Sequence, residues 1–274
     1  MSDKNNYTDA NQSNTIECLN ISEKRVGLFV TCLVNTMRPS VGFASITLLE
    51  QAGCTVEVPA AQSCCGQPAF NSGDDEGTRQ IAYQVIEQFE EFDYVILPSS
   101  SCASMIKKNF IEVFKEQPGW QARAQHLADR THELLSFLVD VCNFKPKGVE
   151  LDGTFTYHDS CSGYRSLNVY EQPREMLSTV KGLEHKPLNG HSECCGFGGT
   201  FCVKYSDISN AIVSEKVENV VAADADYLLG GDMGCLMNIA GKLNREGNQK
   251  ITALHTAEVL AGLAPKIIGA NDAS

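Results

Sequence analysis

The triplet Cys-Cys-Gly occurs twice in this chain, at Cys64-Cys65-Gly66 and at Cys194-Cys195-Gly196. Each copy sits inside a longer series. Cys32 precedes the first pair and Cys102 follows it; Cys161 and Cys235 do the same for the second. The intervening segments are 31 and 32 residues before the pair, then 36 and 39 after it. Chance does not readily place four cysteines twice at matching intervals. The chain therefore reads as two copies of one unit, and any fold must be built twice.

The surroundings repeat as well. Each series opens at the end of an apolar run, VGLFVTC (26–32) and TFTYHDSC (154–161), and closes after another, YVILPSSSC (94–102) and DYLLGGDMGC (226–235). Short runs rich in Val, Leu, Ile and Tyr that end in Ser, Gly or Pro read as buried parallel strands. Helical stripes lie between them. In the first half these are Val41, Ala44 and Leu48, stopped by Gly53, then Ile81, Val85, Phe89 and Phe92. In the second they are Val169, Pro173, Met176, Leu177 and Val180, then Ile208, Ala211, Ile212 and the valines that follow. HELLSFL (132–138) and AEVLAGL (257–263) close the halves as packing helices.

Strands alternating with helices predict an α/β fold: two pseudo-repeated half-domains with mainly parallel sheets and cysteine sites at strand C-terminal ends. The boundary falls in NFKPKGVELDG, so residues 25–148 form the first cysteine-rich half and 149–266 the second. Residues 1–24 read as a disordered polar tail and 267–274 as a flexible one. Open α/β sheets bind ligands beyond the carboxyl ends of their strands. Cys32, Cys102, Cys161 and Cys235 all fall there, and each Cys-Cys-Gly falls in a loop ahead of a helix.

Composition narrows the chemistry. The formal net charge of −12 disfavours nucleic acid, because no Lys/Arg cluster is present to track phosphates. No apolar run reaches the ~20 residues of a transmembrane segment, and the N-terminal residues lack a signal-peptide core. A cytoplasmic protein is expected, reaching the inner membrane peripherally through partners if at all. Twelve cysteines in such a chain point to metal, redox catalysis or packing rather than a disulfide framework.

Three chemistries compete for the paired quartets. An iron–sulfur cluster commonly takes four thiolates, and the glycine after each pair lets backbone approach a bulky inorganic core. Zinc also takes four, but usually from short Cys-x₂₋₄-Cys knuckles, absent from the repeated positions. Thiol–disulfide exchange would have to use vicinal cysteines, which close a strained ring. The iron–sulfur reading leads. Cys18, Cys54, Cys142 and Cys202 read as packed or spectator thiols, and His158 and His191, beside the second series, as structural. No phosphate loop, dinucleotide fingerprint or nucleophile elbow stands out.

The two series resemble the cysteine-rich CCG iron–sulfur family, which includes the catalytic component of heterodisulfide reductase and the iron–sulfur component of glycolate oxidase. LFVTCLVNTMRP, CCGQPAFNSG, PSSSCASM, CCGFGGTFCVK and GCLMNIAGKL are similar in particular to its lactate utilization protein A group. The resemblance implies a redox component of a system oxidising L-lactate to pyruvate with lactate utilization proteins B and C. It places the ligands on Cys32, Cys64, Cys65 and Cys102, and on Cys161, Cys194, Cys195 and Cys235. A component of a glycolate-type or other 2-hydroxy-acid oxidase, and a metal-organised assembly protein, stay open as alternatives. One departure stands out. The wider family closes each series with Cys-x-x-Cys, whereas here Ser99 and Asp232 replace the first of those cysteines. Four ligands per half suit one [4Fe–4S] cluster each rather than a larger fused one. Ser99 and Asp232 themselves are expected in solvent-facing turns.

Overall fold

The computed structural model describes residues 21–263. Cys18 and nearly all of both expected tails lie outside that span. Eight strands form two sheets. The first contains β1 (Arg25–Leu28), β2 (Thr55–Glu57), β3 (Tyr94–Leu97) and β4 (Thr131–Glu133), in the order β2-β1-β3-β4. The second contains β5 (Glu150–His158), β6 (Lys181–His185), β7 (Tyr227–Gly230) and β8 (Thr252–His255), in the order β6-β5-β7-β8. Every pairing is parallel. The chain is thus an α/β protein of two repeated halves.

The register of the strands lets counterparts be named across the repeat. Val26 pairs with Tyr94 as Phe155 pairs with Tyr227, and Leu28 with Ile96 as Tyr157 with Leu229. One residue further along, Phe29 therefore corresponds to His158. In each sheet the order reverses at the central pair, β1/β3 or β5/β7, which is the switch point where such sheets open a crevice.

Local chemistry sets the helices that flank the sheets. Pro39 starts the Pro39–Gln51 helix, whose Val41, Ala44 and Leu48 are buried, and Gly53 ends it with φ 91°. The Asp74 carboxylate accepts the Gly77 N–H at 2.9 Å and caps Asp75–Phe89. In the second half the expected stripe is displaced. Ile208 and Ala211 of the Ser206–Ala222 helix are exposed, and the buried face is Ser209, Val213, Lys216, Val217 and Val220. The later valines of the expected stripe are buried, but a serine and a lysine share that face in place of Ile208 and Ala211. HELLSFL and AEVLAGL are also more than helices: their first residues or the ones just before them complete β4 and β8.

The halves share a core. One apolar cluster joins Val26, Leu48 and Leu135 of the first half to Tyr157, Leu229 and Leu260 of the second. Across the same junction Arg38 Nε donates to Glu258 at 2.8 Å, with both side chains buried, and Ser40 Oγ donates to the same carboxylate at 2.6 Å. Glu133, at the end of β4, is fully enclosed near Tyr157 and Gly231, and burial pushes its carboxyl up to about 7. Among the described residues no helix is long and apolar enough to cross a membrane.

The junction can be probed at both carboxylates. Truncating one partner of a buried ion pair strands the other charge, at a cost of roughly 3–5 kcal/mol. Glu258→Ala is expected to lower the urea-unfolding free energy by that much, with both halves unfolding together. Glu133 binds its proton more tightly folded than unfolded, so its contribution is complete below pH ~4.5 and is lost as pH rises through about 7. Glu133→Gln is expected to flatten that decline by about 3 kcal/mol in stability measured between pH 4.5 and 7.5.

Candidate functional site

The thiols at the two switch points arrive from three directions. Cys32 opens a short helix (Cys32–Met37) just beyond β1, and Cys102 lies in the Ser100–Ser104 helix beyond β3. Cys64 and Cys65 come from the loop after β2. In the second half Cys161 follows β5, Cys235 lies in the first turn of the Met233–Arg245 helix beyond β7, and Cys194-Cys195 occupy the loop after β6. Thr31, buried and held at φ 73°, turns the chain sharply into Cys32. A non-glycine residue there costs about 1–2 kcal/mol, which the surrounding packing must offset.

Each set of four closes into a contact chain. Cys32 Sγ lies 3.8 Å from Cys64 Sγ; Cys64 also meets Cys65, and Cys65 meets Cys102. The second set repeats this link by link: Cys161 to Cys194, Cys194 to Cys195, Cys195 to Cys235. The structure therefore brings together all eight cysteines singled out in the sequence, four in each half. Among the described residues, Cys54, Cys142 and Cys202 stand aside. Cys202 Sγ donates to Gly199 O, and Cys54 and Cys142 hydrogen-bond each other at a separate place.

The protons distribute unevenly. Hydrogen bonds from the Cys32 and Cys65 thiols, helped by the Gly66 N–H at 3.4 Å, pull Cys64 down to about 3. Cys194 falls to about 2 through Cys161 and Cys195, with the Gly196 N–H at 3.3 Å. Hydrogen bonding to those thiolates, followed by burial, pushes Cys32 and Cys161 up. Sulfur atoms this close repel one another as anions, so a bare quartet retains protons that a cationic centre would release.

The backbone is shaped for something larger than a thiol. Gly66 and Gly196 adopt φ 86° and 80°, and a Cβ on Gly196 would stand 2.7 Å from Ser209 O. Thr78 and Ile81 face Gly66 as Ser209 and Ile212 face Gly196, which fixes the correspondence of the two helices. A cavity of about 230 Å³ opens beside the first quartet; Cys32, Cys64 and Cys102 form one wall, and Phe197, Thr200 and Met233 of the other half form the opposite one. Beside the second quartet the side-chain nitrogens of buried His158 have no hydrogen-bond partner, and one lies within 4.8 Å of the Cys195 and Cys235 sulfurs. Clustered thiols, glycine-lined approaches and an orphaned imidazole fit a metal or iron–sulfur centre.

Ser99 and Asp232 differ from expectation. Both are buried rather than solvent-facing. Asp232 Oδ2 accepts the Ser101 N–H at 2.9 Å and the Ser99 hydroxyl at 3.3 Å, so the second half caps the helix that carries Cys102. They lie at equivalent positions of the two halves, and each precedes its cysteine by three residues. Ser99 Oγ accepts the Cys102 N–H and caps its own helix, while Asp232 reaches across to the start of that helix, and their mutual contact draws both inward.

The profile of the cysteine-rich domain family called CCG matches residues 26–107 and 155–240, one match for each half. The chain belongs to the CCG family. A protein from Bacillus cytotoxicus called lactate utilization protein A is 49% identical over 236 residues, covering 86% of this chain and 98% of that protein. The lactate utilization protein A of a Geobacillus species is 47% identical over the same shares. Among solved structures, a hypothetical protein from Helicobacter pylori superposes with a TM-score of 0.63 at 9% identity, over 98% of this chain and 56% of that one. At that identity only the fold is shared.

Alanine at either CCG glycine tests how closely the backbone is set. At Gly66→Ala the added Cβ comes no nearer than 3.4 Å to Ile81 and 3.9 Å to Thr78, so the left-handed penalty alone is expected, about 1–2 kcal/mol in urea unfolding. Gly196→Ala drives a Cβ onto backbone oxygen and should cost measurably more.

Proposed function

We propose that this protein is the iron–sulfur redox component of a lactate-utilization system, oxidising L-lactate to pyruvate together with B- and C-type partner proteins. The observation that carries the reading is the paired convergence of Cys32, Cys64, Cys65, Cys102 and of Cys161, Cys194, Cys195, Cys235 in a chain nearly half identical to lactate utilization protein A. Four thiolates per half favour one [4Fe–4S] centre each, which when bound would take up and release one electron at a time.

The chain's own residues supply the rest. Hydrogen bonds from neighbouring thiols hold Cys64 and Cys194 toward the thiolate form, and those neighbours would give up their protons to cationic iron. The Gly66 and Gly196 N–H groups reach the Cys64 and Cys194 sulfurs and hold charge there. Cys65, Cys102, Cys195 and Cys235 are buried, which shields two thiols of each set from water and oxidants, while Cys194 stays exposed. Asp232 ties the helix of Cys102 to that of Cys235, so the two sites keep a fixed relative position. Converting L-lactate to pyruvate releases two electrons and two protons; a one-electron centre in each half would give one chain room for both electrons.

Anaerobic purification should yield protein with two clusters' worth of iron and sulfide, and Cys195→Ser should lose about half. Lactate oxidation by the assembly reconstituted with its partners should then stop. Continued oxidation after loss of the centre would favour the assembly-protein reading, and oxidation of glycolate in preference to lactate would favour the wider 2-hydroxy-acid reading.

A further inference from the structure

The two quartets match in their thiols and differ in what stands behind them. Sheet register makes Phe29 the counterpart of His158. The glycine contacts pair Thr78 with Ser209 and Ile81 with Ile212, which makes Val85 the counterpart of Lys216. Behind the first quartet, Phe29 and Val85 belong to a closed apolar cluster with Cys65 and Cys102. Behind the second, the same two positions carry an imidazole and an ammonium. His158 is 2% exposed and Lys216 1%. Lys216 Nζ donates to the Gly190 carbonyl, and it lies close enough to Cys194, Cys195 and Cys235 to act on their charge.

From this asymmetry we infer that His158 and Lys216 set the second centre at a higher reduction potential than the first, so that an electron shared between them rests in the second half. The inference deepens the iron–sulfur reading and rests on it. Reduction adds a negative charge to a cluster already surrounded by thiolates. A buried cation and an N–H donor beside it favour the reduced form; aromatic and aliphatic carbon do not.

Charges of opposite sign also lie near the second quartet. Asp159 is fully buried, but Arg174 binds it through two nitrogens at 2.9 and 2.8 Å and His191 Nδ1 adds a contact at 2.8 Å. Glu193, which faces Lys216, is exposed and screened by water. Asp232, which stands where the first half has Ser99, acts on Cys161 and Cys235 in the opposite sense; its Oδ2 is held by the Ser101 N–H and the Ser99 hydroxyl, and Lys216 with the His158 N–H must outweigh it. Cys194 is exposed whereas Cys64 is half-buried, and solvent at the second quartet acts in the same direction as the lysine.

His158 and Lys216 are thus positioning residues that act through the centre, and the test reads a potential rather than activity. The full chain, loaded anaerobically, is titrated potentiometrically and followed by electron paramagnetic resonance. Wild type should show two waves, and Cys64→Ala, which removes the first centre, should leave only the upper one. Giving the second half its first-half counterparts, His158→Phe with Lys216→Val, should move the upper wave down toward the lower while iron content stays constant. If the double variant does not fold or load, Lys216→Met, which keeps the stem and removes the charge, must lower the upper wave alone. Coincident waves in iron-loaded wild type, a Cys64→Ala protein that keeps the lower wave, or variants that leave the separation unchanged would overturn the inference and spare the reading beneath it. Wild type that binds no iron would overturn both, and metal analysis tells that outcome apart.

Discussion

Four sulfur atoms in mutual contact are an unstable arrangement without a cation, and the architecture serves to hold two such sets in place. Parallel strands fix the positions of Cys32 and Cys102, and of Cys161 and Cys235, by sending neighbouring chains out of the same sheet edge. The vicinal pair then closes each set from a third loop. Left-handed glycines at 66 and 196 let that loop come near without a side chain in between. Remove the sheet order, and the sulfurs separate; replace Gly196, and its loop collides with the Ser209 carbonyl.

The two halves depend on each other more than a simple repeat requires. Asp232 supplies the cap that the first-half helix needs, and Phe197, Thr200 and Met233 wall the cavity beside the first quartet. The first site is therefore completed by residues of the second half. Duplication gave two equal frames, and divergence made one the support of the other. The exchange of Phe29 for His158 and of Val85 for Lys216 belongs to that divergence, since core positions rarely change from carbon to charge without a group that uses the charge.

Much of this is legible in the residues. The spacing of the cysteines reveals the duplication and all eight converging thiols, and the runs before Cys32, Cys102, Cys161 and Cys235 mark the central strands. The edge strands give no such signal: β2 and β4 have three residues each, too short for any periodicity. Lys216 is invisible because a lysine inside a helix pattern reads as solvated, and His158 reads as structural when no partner is in view. Ser99 and Asp232 resemble turn residues because the hydrogen bonds that draw them inward span 133 and 131 residues. Long-range hydrogen bonds leave no local trace in a sequence.

The buried Arg38–Glu258 bridge has a consequence for biosynthesis. Arg38 emerges from the ribosome 220 residues before the carboxylate that neutralises it, and the core around it is shared with strands not yet made. The amino-terminal half therefore cannot reach its finished packing while translation is under way. Phe197, Thr200 and Met233, which line the cavity beside its thiols, are also made later, so the surroundings of the first quartet are complete only once the second half has been added.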